Sequence, residues 1–289
     1  MDGPLTWREV VVETTARLAS ATEARWLCEH ACGLDGAAFD AELTESPTTV
    51  MMKSLDAMVA RRLAGEPLQY VMSRWAFRHL DLFVDRRVLI PRPETELIVE
   101  IALGMLDKSA DVQRVVDLGT GSGAIGLSIA FESHPRLVDV WLTDTSTDAL
   151  DVARANLASL GRRGARVHLA HGSWWSALPS DLARTIDVAV CNPPYIAVGD
   201  PEVARDVVDW EPHEALFGGA DGLDDLRSVI ADAPLWLSDG GSLVLEIGHR
   251  QADSVSQLMV DAGFVDVVVR RDLTERDRFV VGRLSSPRV

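Results

Sequence analysis

The chain has 289 residues, of which 47% are apolar and 25% are charged, so it can bury a sizeable core and is not expected to be disordered. Its formal net charge of −16 argues against a protein that grips nucleic acid, because such proteins usually present a basic face. Its three cysteines are too few for a disulfide framework and predict a reducing compartment, the cytoplasm.

The first third of the chain predicts a helical domain, which we assign to residues 1–68. Apolar residues recur at helical spacing in three segments, the first of which has Thr6 as its N-cap. The third begins with Ser46 as the N-cap and Pro47 in the first turn, and Gly65 ends it. No apolar run approaches the ~18 residues that a membrane helix needs, and the opening residues do not form a secretory signal, so no membrane partner is expected.

The pattern changes after residue 67. Residues 69–92 alternate between apolar and polar and are rich in β-formers, which predicts a hairpin linker. A helix with Pro93 in its first turn follows, and it opens a second domain over 93–289.

Strands and helices alternate from residue 112 onward, which predicts an α/β fold with a parallel sheet and helices on both faces. The predicted strands are 113–118, 138–143, 166–170, 186–191, 242–247, 264–270 and 278–283, and the predicted helices lie near 123–133, 146–160, 223–237 and 249–262. Ligands of such sheets bind outside the carboxyl ends of the strands, at a point where the strand order reverses.

A glycine-rich loop joins the first core strand to its helix. Gly121-x-Gly123-x-x-Gly126 spells a dinucleotide fingerprint, and Asp144 ends the next strand where a ribose-binding carboxylate would lie. Asp117 lies two residues before Gly119, and this spacing resembles instead the nucleoside-binding loop of class I S-adenosylmethionine methyltransferases. A nicotinamide cofactor and a tight structural turn remain as alternatives at this point.

The fourth core strand ends in Asn192-Pro193-Pro194-Tyr195. Neither proline can donate to a sheet ladder, so the strand stops there. A planar nitrogen is a poor nucleophile, and a site that methylates one must accept its N–H groups and hold its plane. Asn192 offers a side-chain carbonyl acceptor, Pro193 a rigidly held backbone carbonyl and Tyr195 a flat face. The motif therefore favours methyl transfer to a planar nitrogen over hydride transfer or a merely rigid turn.

Eight segments from about residue 66 onward make the chain similar to the bacterial protein-glutamine N5-methyltransferases that modify peptide chain release factors, the HemK/PrmC family. They are "GEPLQYV", "VLIPRPETELIVE", "VVDLGTGSGAIGLSIA", "TDTSTDALDVARANL", "IDVAVCNPPYI", "DWEPHEALFGGADGLDDLRSVI", "GGSLVLEIG" and "RDLTERDRFVVGR". The first ~65 residues match only in helical character. The resemblance implies a class I methyltransferase (Rossmann-like) sheet, with a small N-terminal helical domain that helps dock the release factor.

The resemblance also implies roles for individual residues. Those expected to hold S-adenosylmethionine, which becomes S-adenosyl-L-homocysteine, are Gly119, Thr120, Gly121, Ser122, Gly123, Asp144, Trp174 and Asn192. Asn192, Pro193, Pro194 and Tyr195 are expected to clamp the glutamine of the substrate's Gly-Gly-Gln loop, with Asn192 and Tyr195 as the catalytic pair. Arg92 and Glu94 are secondary candidates that cover the cofactor site. Ser73 and Ser173 depart from the family pattern, the second at a position where an aspartate is common.

Three other functions remain as alternatives. They are glutamine methylation of a ribosomal protein, adenine-N6 methylation of nucleic acid, which shares a related motif, and a non-catalytic module that binds S-adenosylmethionine. No metal site is expected, because Cys28 and Cys32 flank a histidine without a second ligand cluster and are more typical of core packing. Neither the substrate's exact identity nor the oligomeric state follows from the sequence.

Overall fold

The structure is a computed structural model that describes residues 5–106, 112–133 and 138–285. The chain divides into two compact units, Met1–Arg74 and Trp75–Val289. Among the described residues no helix is both long enough and apolar enough to cross a membrane. The domain limits predicted from sequence, at 68/69 and 92/93, stay predictions.

The first unit is helical. Its helices are α1 (Trp7–Leu18), α2 (Ala21–Cys32), α3 (Gly36–Glu42), α4 (Thr49–Leu63) and α5 (Leu68–Met72). Trp7, Leu27 and Phe39 are among the buried side chains of its core. The predicted Thr6 N-cap is confirmed, because its hydroxyl accepts from the Glu9 amide in a reciprocal capping box.

Two local predictions in this unit were wrong. The N-cap of α4 is Thr48 rather than Ser46, because an N-cap oxygen must reach an amide three residues on, and Thr48 does so at Met51. Residues 69–72, predicted as part of an extended hairpin, belong to helix α5. Burial of Leu68, Tyr70 and Val71 outweighs their strand-like local pattern.

The second unit begins with a short hairpin and a helix. They are β1 (Trp75–Phe77), β2 (Leu80–Leu82), a 3-10 turn (Pro93–Thr95) and α6 (Glu96–Met105). Pro93 opens the 3-10 turn, where its missing N–H costs nothing.

A seven-stranded sheet forms the centre of this unit, in the order β5-β4-β3-β6-β7-β9-β8. Its strands are β3 (Gln113–Leu118), β4 (Val138–Asp144), β5 (Val167–His171), β6 (Ile186–Cys191), β7 (Leu237–Glu246), β8 (Phe264–Arg271) and β9 (Asp277–Leu284). The accompanying helices are α7 (Ala124–Glu132), α8 (Thr147–Ser159), α9 (Arg205–Trp210), α10 (Asp224–Trp236) and α11 (Ala252–Asp261). All seven predicted strands are present, whereas α3 and α9 were not predicted.

The prediction of an all-parallel sheet was wrong at one edge. The pairs from β5 through β7 are parallel, but β9 lies antiparallel to both β7 and β8. Only residues 272–276 connect β8 to β9, and a connection that short can join antiparallel strands but cannot cross over to a parallel one.

The strand order reverses between β3 and β6, which is where such sheets bind ligands. Where β3 pairs with β6, Leu118 lies opposite Cys191, and these two residues are the last of their strands. Gly119 and Asn192, the next residues along the chain, therefore follow neighbouring strand ends. The fold thus brings the glycine loop and the Asn-Pro-Pro-Tyr motif to one edge of the sheet.

Candidate active site

The glycine loop turns sharply because its three odd-numbered glycines adopt positive φ, +71° at Gly119, +54° at Gly121 and +85° at Gly123. This backbone region suits glycine and strains other residues. Asp117 supports the loop from below, since one carboxylate oxygen accepts from the Thr120 hydroxyl at 2.7 Å and from the Gly126 amide at 2.9 Å. Burial raises the pKa of Asp117 to about 6, although the two hydrogen bonds act to lower it.

Asp144, at the end of β4, faces the same loop. Its two carboxylate oxygens accept from the Gly121 amide and the Ser146 amide, each at 2.9 Å. Burial raises the pKa of Asp144, and the two amides oppose the rise. Each oxygen keeps a second lone pair, so the carboxylate can still accept from a pair of hydroxyls.

A cleft of about 340 Å³ opens between these groups, within the size range of small-molecule sites. The predicted residues that line it are Gly119, Thr120, Gly121, Ser122, Asp144, Trp174, Asn192 and Pro194. Gly123 does not line the cleft. It precedes α7, where an added Cβ would come within 2.7 Å of Leu127.

A second, wider cleft of about 920 Å³ lies on the other side of Asn192. Pro193 and Tyr195 line it, together with the predicted Arg92. Glu94 lines neither cleft. Asn192 lines both clefts, so one side chain touches both spaces. Within the described part of the chain, no hydrogen bond from another residue occupies its amide, which leaves the carbonyl oxygen free to accept.

The loop over residues 217–223 supports the motif by close backbone contact. A Cβ on Gly218 would lie 2.2 Å from the Pro194 carbonyl oxygen, and one on Gly222 would lie 2.2 Å from that of Tyr195. Gln251 adds a hydrogen bond from its amide to the same Tyr195 oxygen at 2.9 Å. Sequence reasoning did not assign these residues, although the repeated glycines of "FGGADGL" were a visible signal.

The hydroxyl group of Tyr195 points toward the end of β7. It donates to Glu246 at 3.4 Å, and Glu246 is buried at the end of β7. Burial raises the pKa of Glu246 to about 7, while Thr95 and Arg278 oppose the rise. Burial also raises the pKa of Tyr195 well above its usual value, so the phenol stays protonated and keeps donating.

Arg92 is held by Glu211, the residue that directly follows α9. Its guanidinium donates to Glu211 at 2.6 Å, and the other oxygen of this buried carboxylate accepts from the Ile90 amide at 2.9 Å. A second link joins the same segments, because the Arg86 guanidinium stacks over the Trp210 ring at 4.4 Å. These contacts fix the backbone of 86–92, whose Leu89 lines both clefts.

The neighbouring tryptophans separate cleanly into two roles. Trp174 lines the first cleft, whereas Trp175 is buried in the core and donates its indole N–H to the Val229 carbonyl at 2.9 Å. Cys191 is likewise buried in the core. Among the described residues, no cluster of histidines, cysteines and carboxylates could hold a metal ion.

Comparison with known proteins places this geometry in a family. Residues 96–210 match the model of the methyltransferase small domain, and residues 9–72 match that of the PrmC N-terminal domain. A release factor glutamine methyltransferase from Xylella fastidiosa is 43% identical over 274 residues, which cover 93% of this chain and 97% of that protein. The chain belongs to the release factor glutamine methyltransferase family.

Further members agree with this assignment. The release factor glutamine methyltransferase of Burkholderia pseudomallei is 40% identical over 267 residues, covering 91% of this chain and 92% of that protein. A Pyrococcus furiosus methyltransferase structure, at 16% identity, superposes with a TM-score of 0.52 over 78% of this chain and 97% of its own, which shows a shared fold. The predicted resemblance, the methyltransferase fold class and the enzyme class are confirmed. The family model also matches the N-terminal helices, where the sequence resemblance was weakest.

Proposed function

We propose that this enzyme transfers the methyl group of S-adenosylmethionine to the side-chain amide nitrogen (N5) of the glutamine in the Gly-Gly-Gln loop of peptide chain release factors. S-adenosyl-L-homocysteine is the other product. The position of Asn192, which lines both clefts, is the observation that carries the proposal. The relatives named as release factor glutamine methyltransferases support the choice of substrate.

The first cleft fits the cofactor. The Asp144 carboxylate can accept from the two ribose hydroxyls, and the Trp174 ring offers a flat apolar face to a base. Positive φ in the glycine loop lets its backbone approach a ligand closely. When bound, S-adenosylmethionine supplies an electrophilic methyl group on a sulfonium ion.

The second cleft fits a protein loop that ends in a planar amide. The carbonyl oxygen of Asn192 and the backbone carbonyl of Pro193 can accept the two N–H groups of a glutamine amide. The ring of Tyr195, held by Glu246, supports the plane of that amide. Holding the nitrogen in one orientation removes much of the entropic barrier to transfer, which is the main help this poor nucleophile needs.

No strong base is required in this mechanism. The substrate nitrogen gains the methyl group and loses one proton, which becomes acidic once the nitrogen has been alkylated. Water in the open second cleft, or the carbonyl of Pro193, can receive it. The transfer is therefore a direct in-line displacement without a covalent bond between enzyme and substrate.

The electrostatics favour a protein substrate over nucleic acid. The chain carries a net charge of −16, and the second cleft, lined by three carboxylates and by the guanidinium groups of Arg92, Arg250 and Arg278, does not present a predominantly basic face. Proteins that grip phosphate backbones usually do present such a face. We therefore propose a protein substrate, and we propose that the enzyme acts in the cytoplasm on factors that terminate translation.

A labelling experiment tests the proposal. The enzyme and methyl-labelled S-adenosylmethionine are incubated with purified release factor, with the factor carrying another residue at the loop glutamine, with ribosomal proteins and with DNA. Label is expected only in the unaltered release factor. Label in the altered factor, in ribosomal proteins or in DNA would show that the substrate assignment is wrong.

A further inference from the structure

One carboxylate in the first cleft has no role in the chemistry above. Asp225, in the first turn of α10, lines that cleft beside Trp174 and Ser173. Within the part of the chain that the structure describes, no ion pair joins it to a cation. A partly buried carboxylate without a counter-charge that faces a ligand cleft can accept a hydrogen bond from whatever occupies the cleft.

The indole of Trp174 extends from the glycine loop to this carboxylate. A Cβ on Gly119 would lie 3.0 Å from Cζ3 and 3.4 Å from Cη2 of the ring, so the benzo edge abuts the loop. Burial raises the pKa of the Asp225 carboxyl, and a hydrogen bond from the Trp174 side chain, whose one donor is the indole N–H, opposes the rise; the other lone pairs of the carboxylate remain available to a ligand. The ring therefore forms a flat plate with a backbone loop at one edge and a carboxylate near another.

The plate itself is held in place by the backbone. Trp174 has φ of +47°, a left-handed conformation that is uncommon for a bulky residue and that needs support from its surroundings. An aromatic plate of this kind suits stacking by a planar base. A base on the plate would bring its polar edge toward the neighbouring carboxylate.

The other carboxylates of the cleft lie away from the plate. Asp144 binds the Gly121 amide at 2.9 Å, and Glu214 is close enough to Asp144 for its charge to raise the pKa of that residue. These two groups therefore share the end of the cleft suited to the ribose. Ser173 lies near the plate but carries no carboxylate, which leaves Asp225 as the acidic acceptor on that side.

We propose that Asp225 accepts a hydrogen bond from the exocyclic amine of the adenine of S-adenosylmethionine and so selects an aminopurine over an oxopurine. The inference rests on the proposed function, because it assigns a specificity determinant within the same cofactor cleft. A carboxylate is an acceptor only, so it attracts an amine at purine position 6 and repels a carbonyl oxygen there. Discrimination by such a group is strong, because the wrong base leaves a desolvated polar group unpaired.

The test compares two ligands that differ at one edge of the purine: S-adenosylhomocysteine has an amine at position 6 and an unprotonated N1, and S-inosylhomocysteine has a carbonyl at position 6 and an N1–H. Their dissociation constants are measured by calorimetry for the unmodified enzyme, for Asp225→Ala and for the control Glu214→Ala. The unmodified enzyme should prefer the adenosyl ligand by at least about tenfold. Asp225→Ala should reduce that preference to within about threefold, whereas Glu214→Ala should retain it.

Each other result has a definite meaning. An unchanged preference in Asp225→Ala, or an equal loss in both variants, would overturn the assignment of Asp225. If the unmodified enzyme binds S-adenosylhomocysteine but shows no preference, the inference fails while the proposed cofactor stands. If it does not bind S-adenosylhomocysteine, the proposed function fails as well. Asp225→Asn, whose amide can rotate to face either base, provides a second variant and should show an intermediate preference.

Discussion

The hydroxyl of Tyr195 donates to Oε1 of Glu246 at 3.4 Å, and Glu246 is only 1% exposed. A buried carboxylate beside a phenol links the aromatic ring of the proposed substrate cleft to the end of β7. Burial raises the pKa of Glu246 from 4.5 to about 7, so this residue titrates close to neutral pH.

This pKa shift predicts a pH-dependent stability. Between pH 4.5 and about 7 the unfolded chain has released a proton that Glu246 retains in the folded protein. The free energy of unfolding should therefore fall as pH rises through that window, by roughly 3 kcal/mol at most from this group. Glu246→Gln abolishes the titration, so its stability relative to the unmodified protein should rise over the same window.

Urea unfolding of both proteins at several pH values between 4.5 and 7.5 measures this difference. Asp117, whose pKa burial raises to about 6, titrates in the same window, but it is present in both proteins and cancels. A constant difference across the window would show that Glu246 is not protonated there.

Asn192→Ala should abolish methyl transfer without unfolding the protein. Its side chain makes no hydrogen bond within the described residues but lines both clefts. The transfer rate should fall by more than about a thousandfold, because the substrate nitrogen loses its acceptor and its orientation. Affinity for S-adenosylhomocysteine should change by less than about threefold.

Asn156→Ala is the matched comparison. This buried amide donates to the Ser122 carbonyl at 2.8 Å and exchanges two hydrogen bonds with the Phe83 backbone, so it supports the glycine loop. Its loss should lower both the melting temperature and cofactor affinity. If Asn192→Ala instead behaved like Asn156→Ala, its role would be structural.

Gly222→Ala should displace the Asn-Pro-Pro-Tyr motif. The new Cβ would lie 2.2 Å from the Tyr195 carbonyl oxygen, a contact that only backbone movement can relieve. Transfer should fall by more than about tenfold, because small displacements of reacting groups are costly.

Gly263→Ala controls for backbone strain. Gly222 and Gly263 both have positive φ, +73° and +92°, but nothing lies within 4 Å of a Cβ at Gly263. The control should lose about 1 kcal/mol of stability and keep its activity. Equal activity in the two alanine variants would contradict the proposed support of the motif.

Glu211→Ala should destabilise the segment that carries Arg92. The substitution removes the buried partner of the Arg92 guanidinium and of the Ile90 amide together. The free energy of unfolding should fall by about 2–4 kcal/mol, because two polar groups lose their acceptor.

Glu202→Ala provides the comparison for this ion pair. Glu202 pairs with Arg250 at 2.9 Å, but both side chains are more than half exposed. Its loss should cost less than about 1 kcal/mol. Chemical unfolding of both variants gives the two values, and similar losses would show that the Glu211 contacts do not stabilise the segment.

Much of this fold could be predicted because its local and global signals agree. All seven strands of the large sheet were anticipated from their local pattern, and β3 and β5 end directly before a glycine. The failures have different causes. At Leu68–Met72 burial outweighed a strand-like local pattern. At α4 a second capping residue, Thr48, competed with Ser46, and at β9 the shortness of the 272–276 connection was not weighed.

The sequence by itself determined which functional groups are available to the site. The amino-acid order itself contains the glycine loop, Asp144 and Asn192-Pro193-Pro194-Tyr195. Their positions at strand ends follow from local periodicity. Only the tertiary structure decided which groups meet, including Glu246 beneath Tyr195, Gly222 against the motif backbone and Asp225 beside Trp174. These contacts join residues as many as 51 positions apart, and their partners are set by the order of strands in the sheet. Strand order is a property of the packed core as a whole, which no single segment of the chain encodes.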